Sequence, residues 1–154
     1  MKYKSIKTLK KQYPNKIIGF TCGSFDLCHY GHVLMFEECK KFCDVLVVGL
    51  QSDPTIDRPT KNKPIQSKIE RIGMLHAIKY ISHVIEYDTE NDLITLLKSL
   101  DPHIRIVGED WRGKPFTGHK LNIKCMFNVR KHSHSSSNLR ERVYLAEHAK
   151  RIKT

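Results

Sequence analysis

Apolar residues fall along the chain in two alternating patterns. Short runs, Ile17–Cys22, Val45–Leu50, Ile81–Ile85, Ile104–Val107 and Ile123–Val129, read as strands. Between them the spacing turns helical. Over 32–42 the apolar positions Val33, Phe36 and Cys39, continued by Cys43, recur every three or four residues. Ser67 with Glu70 three residues on forms a capping box, and Ile69, Ile72, Leu75, Ala77 and Ile78 supply the apolar face that follows. Thr89 caps a helix through Leu100 that Asp101-Pro102 stops. Ser135–Ser137 precede a last helix from about Leu139 to Arg151. Glycine and proline mark 23–31, 51–66 and 108–118 as irregular loops. Strand and helix in strict alternation predict an α/β fold: a single Rossmann-like domain, with a parallel sheet and helices on both faces. Such sheets bind ligands beyond the carboxyl ends of their strands, so the loops after Cys22, Leu50, Val107 and Val129 are the ones to search.

Length and charge narrow the classes. The 154 residues are enough for one domain with its own core. We divide them into a basic N-terminal arm, 1–16, with at most one short helix ending at Pro14, and a domain, 17–154. With 40% hydrophobic and 28% charged residues the chain is neither disordered nor membrane-embedded. No apolar run approaches the roughly 20 residues of a membrane helix, and no signal peptide is seen. The five cysteines include no Cys-x-x-Cys pair, so a reduced, cytoplasmic protein is expected. A formal net charge of +11 favours polyanionic partners: nucleic acid, an anionic membrane or phosphorylated small molecules.

The first loop carries the densest chemistry. Thr21-Cys22-Gly23-Ser24-Phe25-Asp26-Leu27-Cys28-His29-Tyr30-Gly31-His32 places two histidines, two glycines and a carboxylate at a strand-to-helix junction. A helix start presents free N–H groups and a positive dipole end to an anion. His29 and His32 add ring donors, Gly23 lets a phosphate approach the backbone, and Gly31 lets the chain turn into the helix. A metal site of His29 and His32 with Cys22 or Cys28 fits no familiar zinc spacing. Ser135–Ser137 offer a second helix start after Arg130 and Lys131. Gly108 to Lys114 fits the beginning of a Walker A loop, but Pro115 stands where a Ser or Thr should reach Mg²⁺.

Gly-Ser-Phe-Asp-Leu-Cys-His-Tyr-Gly-His closely resembles the His-x-Gly-His signature of the nucleotidyltransferase superfamily. Within it the chain is most similar to the small cytidylyltransferases of the glycerol-3-phosphate cytidylyltransferase type. Lys63 to Arg71 resembles the family's lysine and helix-borne arginine after the second strand. Gly108-Glu109-Asp110-Trp111-Arg112-Gly113-Lys114 resembles Gly-Asp-Asp-Trp-x-Gly-Lys. Arg130 to Ser137 resembles Arg-Thr-x-Gly-x-Ser-Thr-Thr, with its glycine missing and His132 and His134 added. The likeness covers about 17–145, and the arm has no counterpart in it.

The resemblance implies CMP transfer from CTP to a phosphomonoester, glycerol-3-phosphate or another polyol or sugar phosphate, with release of pyrophosphate. It implies a nucleotide site of Cys22, Gly23, Ser24, Phe25, His29, His32, Gly108, Asp110, Trp111, Arg130, Ser135 and Ser136. In it His29 and His32 hold the triphosphate, Arg130 and the serines hold the β- and γ-phosphates, and Asp110 accepts from the cytosine amino group. Lys63 meets the α-phosphate or the leaving group. Asp26, Lys63 and Arg71 serve the acceptor, Arg71 at its phosphate. Mg²⁺ rides with the nucleotide and touches Asp26. A homodimer is expected. Two alternatives stand beside this reading. One is adenylyl transfer from ATP to a sugar phosphate or cofactor precursor. The other is a basic nucleic-acid or anionic-membrane binding module, which lacks basic residues interleaved with aromatics or a helix-turn-helix in its favour.

Overall fold

A computed structural model describes residues 6–152. Five strands, β1 (Ile18–Gly23), β2 (Val45–Gln51), β3 (His83–Tyr87), β4 (Ile104–Gly108) and β5 (Lys124–Asn128), pair in parallel in the order β3-β2-β1-β4-β5. Helices α1 (Ile6–Gln12), α2 (Tyr30–Cys39), α3 (Lys68–His76), α4 (Glu90–Leu100) and α5 (Ser136–Ile152) complete the chain. The strand alternation of β2 explains the layering. Val45 and Val47 join one core with Phe20, Leu93, Leu96 and Leu97, while Leu46, Val48 and Leu50 join a second core with Phe36, Cys39 and Leu75. The sheet is covered on both faces, as expected. Beyond β3 the chain crosses back to place β4 on the other side of β1. The loops after β1 and β4 therefore leave the sheet in a crevice at the switch point, where ligands of such folds bind.

Three elements differ from expectation. The arm is not apart from the domain: Ile6 (1% exposed) and Leu9 (0%) of α1 enter the first core beside α4. The expected β3 begins two residues late. Ser82 makes a sheet-edge turn first, donating its N–H to Leu46 O and accepting Leu46 N–H at its hydroxyl. Helix α3 keeps its Ser67–Glu70 box but turns Ile69 outward, 80% exposed. Its inward row is Arg71 and Leu75, and Ile69, two residues from Arg71, lies on the far side. Cys39 and Cys43 pack on one face, the Cys43 thiol donating to Cys39 O, and all five cysteines are free. Among the described residues no helix is long and apolar enough to cross a membrane.

Candidate active site

The junction of β1 and α2 is built by its own histidines. His29 caps α2, its Nδ1 accepting the Gly31 N–H at 3.1 Å. His32 reaches back, its Nδ1 accepting the His29 N–H at 3.3 Å. The rings stack with centroids 4.0 Å apart and planes 23° apart. A backbone N–H can only donate, so both Nδ1 atoms are acceptors and the neutral rings carry hydrogen on Nε2. The pair thus presents two N–H donors on fixed tautomers. Burial, then the charges of His29, Arg130 and His132, lowers His32 to about 3, so it is neutral at pH 7. His29 is lowered by burial and by His134, His132 and Arg130. Gly31 explains itself: a Cβ there would stand 2.7 Å from His132 Cε1 and 2.9 Å from His29 Cε1.

Phe25 and Leu27 adopt left-handed backbone (φ 47° and 49°) on either side of Asp26, a strained arrangement held from several directions. The Phe25 ring is buried below His32, with an edge contact at 5.5 Å, and packs on Phe36. Expected among the nucleotide contacts, Phe25 instead supports His32 from the core. Asp26, 5% exposed, also differs from expectation. Its Oδ1 accepts from the Ile65 and Gln66 amides at 3.0 and 2.9 Å, and its Oδ2 pairs with Arg140 of α5. Both oxygens are taken, so Asp26 joins the first loop to 65–66 and α5 and offers Mg²⁺ no free oxygen. Among the described residues no group of three or more His, Cys, Asp or Glu could hold a metal ion. The described side chains alone do not fit a resident metal.

Arg71 is the larger departure. It is 2% exposed, and its donors go to backbone carbonyls: Nε to Gln66, Nη1 to Ser24 and Gln51, Nη2 to Ser52. A guanidinium so engaged is a joint between the first loop and both ends of the 51–66 loop rather than a hand for an acceptor phosphate. Lys63 is exposed and lines neither cavity described below, while its carbonyl accepts from Arg140.

The remaining expected residues surround two adjoining cavities. The smaller, about 230 Å³, is lined by His29, His32, Gly108, Asp110, Arg130, Ser135 and Ser136, together with His132 and His134. The larger, about 400 Å³, is lined by Cys22, Gly23, Ser24 and Trp111, and by Gln51, Arg58, Lys61 and Arg105. Met35, Gly108 and Ser136 border both. The Ser135 hydroxyl accepts the Asn138 N–H at 3.1 Å and caps α5, and Ser136 Oγ donates to Asp26 O at 3.3 Å. The amino ends of α2 and α5 therefore border one space, where their dipoles point the same sign of potential at it. Arg130 closes its own loop by donating to His134 O at 2.6 Å. Glu109 is held by Arg112, whereas the Asp110 carboxylate is exposed in the smaller cavity.

Sequence reasoning gave no role to Arg58, Arg105, Arg140, His132 or His134. An arginine inside the apolar run of β4 was the readable sign of Arg105, which is 4% exposed and donates to Thr117 O. Arg140 had no such sign, because its partner lies 114 residues away.

Comparisons with known proteins bear on the family and the fold. Residues 20–142 match the model of the cytidylyltransferase-like family. The bifunctional protein HldE of Campylobacter jejuni (strain RM1221) is 37% identical over 115 residues, which are 74% of this chain and 24% of that protein. HldE of Campylobacter fetus subsp. fetus is 35% identical over 111 residues, 71% and 24% of the two chains. This chain thus spans about a quarter of the length of these curated relatives. In fold it is similar to the lipopolysaccharide core biosynthesis protein from Thermoplasma volcanium GSS1 (TM-score 0.65, 24% identity), covering 77% of this chain and 100% of the other. It is also similar in fold to pantoate-beta-alanine ligase from Francisella tularensis (TM-score 0.63, 15% identity), covering 90% and 70%.

Proposed function

The chain belongs to the cytidylyltransferase-like family of nucleotidyltransferases, and from that membership we propose that it moves CMP from CTP to a phosphomonoester by direct in-line displacement, releasing pyrophosphate. The observation that carries this reading is the His29–His32 pair, with Nε2 donors on fixed tautomers beside the amino ends of α2 and α5.

The chemistry asks for little else. A phosphate monoester has its second pKa near about 6, so the acceptor arrives as a dianion and needs no general base. Its oxygen attacks the α-phosphorus, and the bond to the β-phosphate oxygen breaks as pyrophosphate departs with the electron pair. Negative charge shifts toward the phosphoryl oxygens during the step, and preorganised donors stabilise it there. The two Nε2–H groups donate to those oxygens. Arg130 and the Ser135–Ser136 helix start receive the β- and γ-phosphates. Lys63, exposed and outside both cavities, would swing in as a cation for the leaving group. Asp110 accepts from the amino group of the base, and Trp111 flanks it. Mg²⁺, where bound, would rest on phosphate oxygens and supply further charge neutralisation, since both Asp26 oxygens already have partners.

The acceptor occupies the larger cavity, where Arg58, Lys61 and Arg105 take the part first expected of Arg71. Glycerol-3-phosphate and other polyol or sugar phosphates suit this polar space. A homodimer is part of the same proposal: α5 exposes Val143, Leu145 and Ile152, and sedimentation reads the state directly.

Adenylyl transfer is the second reading. A carboxylate at Asp110 accepts equally from the amino group of cytosine or adenine, so the base contact itself does not separate CTP from ATP. Thermal protection tests both, because a ligand stabilises the state it binds. CTP with Mg²⁺ is expected to raise the melting temperature more than ATP, GTP or UTP. Protection by ATP alone moves the protein to adenylyl transfer, and protection by no nucleotide overturns the reading.

A further inference from the structure

The larger cavity gathers cations for an anionic acceptor, yet it contains carboxylates. Arg58, Lys61, Arg105 and Arg140 line it, and so do Asp26 and Glu90. Asp26 is paired with Arg140 and belongs to the first loop. Glu90 has no part in the mechanism above. By charge alone it works against an anionic acceptor, since like charges in one cavity repel.

Its contacts give it another use. Glu90 is the first residue of α4, behind the Thr89 cap, and the following turns are fixed in the first core by Leu93, Leu96 and Leu97. Its N–H donates to Asp57 Oδ2. Its Oε1 accepts from Arg58 Nη2 at 3.0 Å and from Gln51 Nε2 at 3.2 Å, and Gln51 Oε1 accepts from the same Arg58 nitrogen at 2.8 Å. Its Oε2 accepts from the Thr117 hydroxyl, and the Thr117 carbonyl accepts from Arg105 Nη1. Both arginines are thus held through one carboxylate, Arg58 directly and Arg105 by way of Thr117. The same contacts join the 51–66 loop to the 108–118 loop across the amino end of α4.

The arginines so held keep capacity for a ligand. Arg58 Nε is buried and has no hydrogen-bond partner among the described residues. Arg105, 4% exposed, rests on the Thr117 carbonyl and over the Phe116 ring, its Cζ 5.0 Å from the centroid, and neither is a counter-charge. With Asp26 offsetting Arg140 and Glu90 offsetting Arg58, Lys61 and Arg105 are left to balance a phosphate dianion. A guanidinium fixed in advance gives up less side-chain entropy when it binds.

We propose that Glu90 is a positioning residue for the acceptor: it holds Arg58 and, through Thr117, Arg105 in the orientation that receives the acceptor's phosphate. This rests on the acceptor site proposed above. Orientation outweighs the repulsion that the carboxylate brings, so removing Glu90 weakens acceptor binding rather than strengthening it.

Steady-state pyrophosphate release by the full chain, with CTP and Mg²⁺ saturating, reads kcat and the acceptor KM. The acceptor is whichever of glycerol-3-phosphate, mannose-1-phosphate and glucose-1-phosphate the wild type turns over fastest. Glu90→Ala is expected to raise that KM about tenfold, while kcat and the CTP KM stay within about twofold. Glu90→Gln, which can still accept from Arg58 and donate to the Thr117 hydroxyl, is expected to recover most of the loss. Charge repulsion alone would make the two variants alike and lower the KM in both. Thr117→Val removes only the hydroxyl link and leaves every charge in place. It is expected to raise the acceptor KM about threefold, and to add little in a double variant with Glu90→Ala. Should Glu90→Ala fail to fold by its melting curve, Thr117→Val carries the test. An acceptor KM that is unchanged or lowered, that rises together with the CTP KM, or that is equal in Glu90→Ala and Glu90→Gln overturns this inference and leaves the acceptor site standing. A wild type that turns over none of the three acceptors overturns both, and thermal protection by CTP then still reports on the nucleotide site.

Discussion

Arg140 of α5 pairs through Nη2 with Oδ2 of Asp26, which two backbone amides from 65–66 hold on its other oxygen. One carboxylate therefore ties the His29–His32 loop to α5 and to the segment that bears Lys63. Because Asp26 is almost fully buried, removing one partner strands the other. Asp26→Asn is expected to lower stability by about 3 kcal/mol and Arg140→Met by somewhat less, with the double variant losing less than the sum. Urea denaturation of the two single variants and the pair measures this. Strict additivity contradicts the clamp.

Arg71→Lys tests the buried joint. Lysine keeps the charge but has three donors on one nitrogen, and cannot span the carbonyls of Ser24, Gln51, Ser52 and Gln66. A stability loss of about 2 kcal/mol is expected, with reduced turnover as the loops lose register. An acceptor KM that rises with unchanged stability would instead return Arg71 to direct substrate contact.

The lowered pKa of His32 makes a signed prediction for stability. An unfolded imidazole takes a proton below about pH 6.5. Folded His32 does not until about 3. Between those values the unfolded chain binds more protons, so stability falls as pH is lowered through that window. His29 and His83, both also lowered, add to the same trend. His32→Asn is expected to narrow the difference in urea midpoint between pH 7.5 and pH 5. An unchanged difference would mean that His32 titrates normally in the fold.

Catalysis carries a different pH signature. With His32 neutral across the working range, its protonation does not set the acid limb. The acceptor's second pKa, near about 6, does so. At saturating nucleotide, kcat/KM for the acceptor is expected to fall below that pH. Replacing the phosphate by a phosphonate of higher second pKa should move the limb upward. A limb that stays in place belongs to the protein instead.

The fold was legible because its signals are local. Four strands lie on apolar runs and β5 on a mixed one, Ser67 announced α3 by a capping box and Thr89 announced α4 as its cap, and the structure contains both caps. The first loop was legible for the same reason, since His29, Gly31 and His32 act on one another within four residues. What escaped depends on distance. Nothing near Arg71 indicates that its donors meet carbonyls from two loops, and nothing near Asp26 indicates Arg140. The inward place of Ile6 and Leu9 was hidden by the lysines around them. A short helix with two apolar residues reads as a solvated arm until α4 provides the surface that covers it.

The central claim is nucleotidyl transfer at the His29–His32 pair. The most direct measurement is acceptor-dependent pyrophosphate release from CTP and Mg²⁺, run with glycerol-3-phosphate and a panel of sugar phosphates, in wild type and in His32→Ala. Pyrophosphate release that requires an acceptor, matched by one CDP-linked product, is expected in the wild type. It should fall by about a hundredfold or more in His32→Ala, with the fold retained. Release of inorganic phosphate in place of pyrophosphate, or wild-type turnover in His32→Ala, would contradict the account.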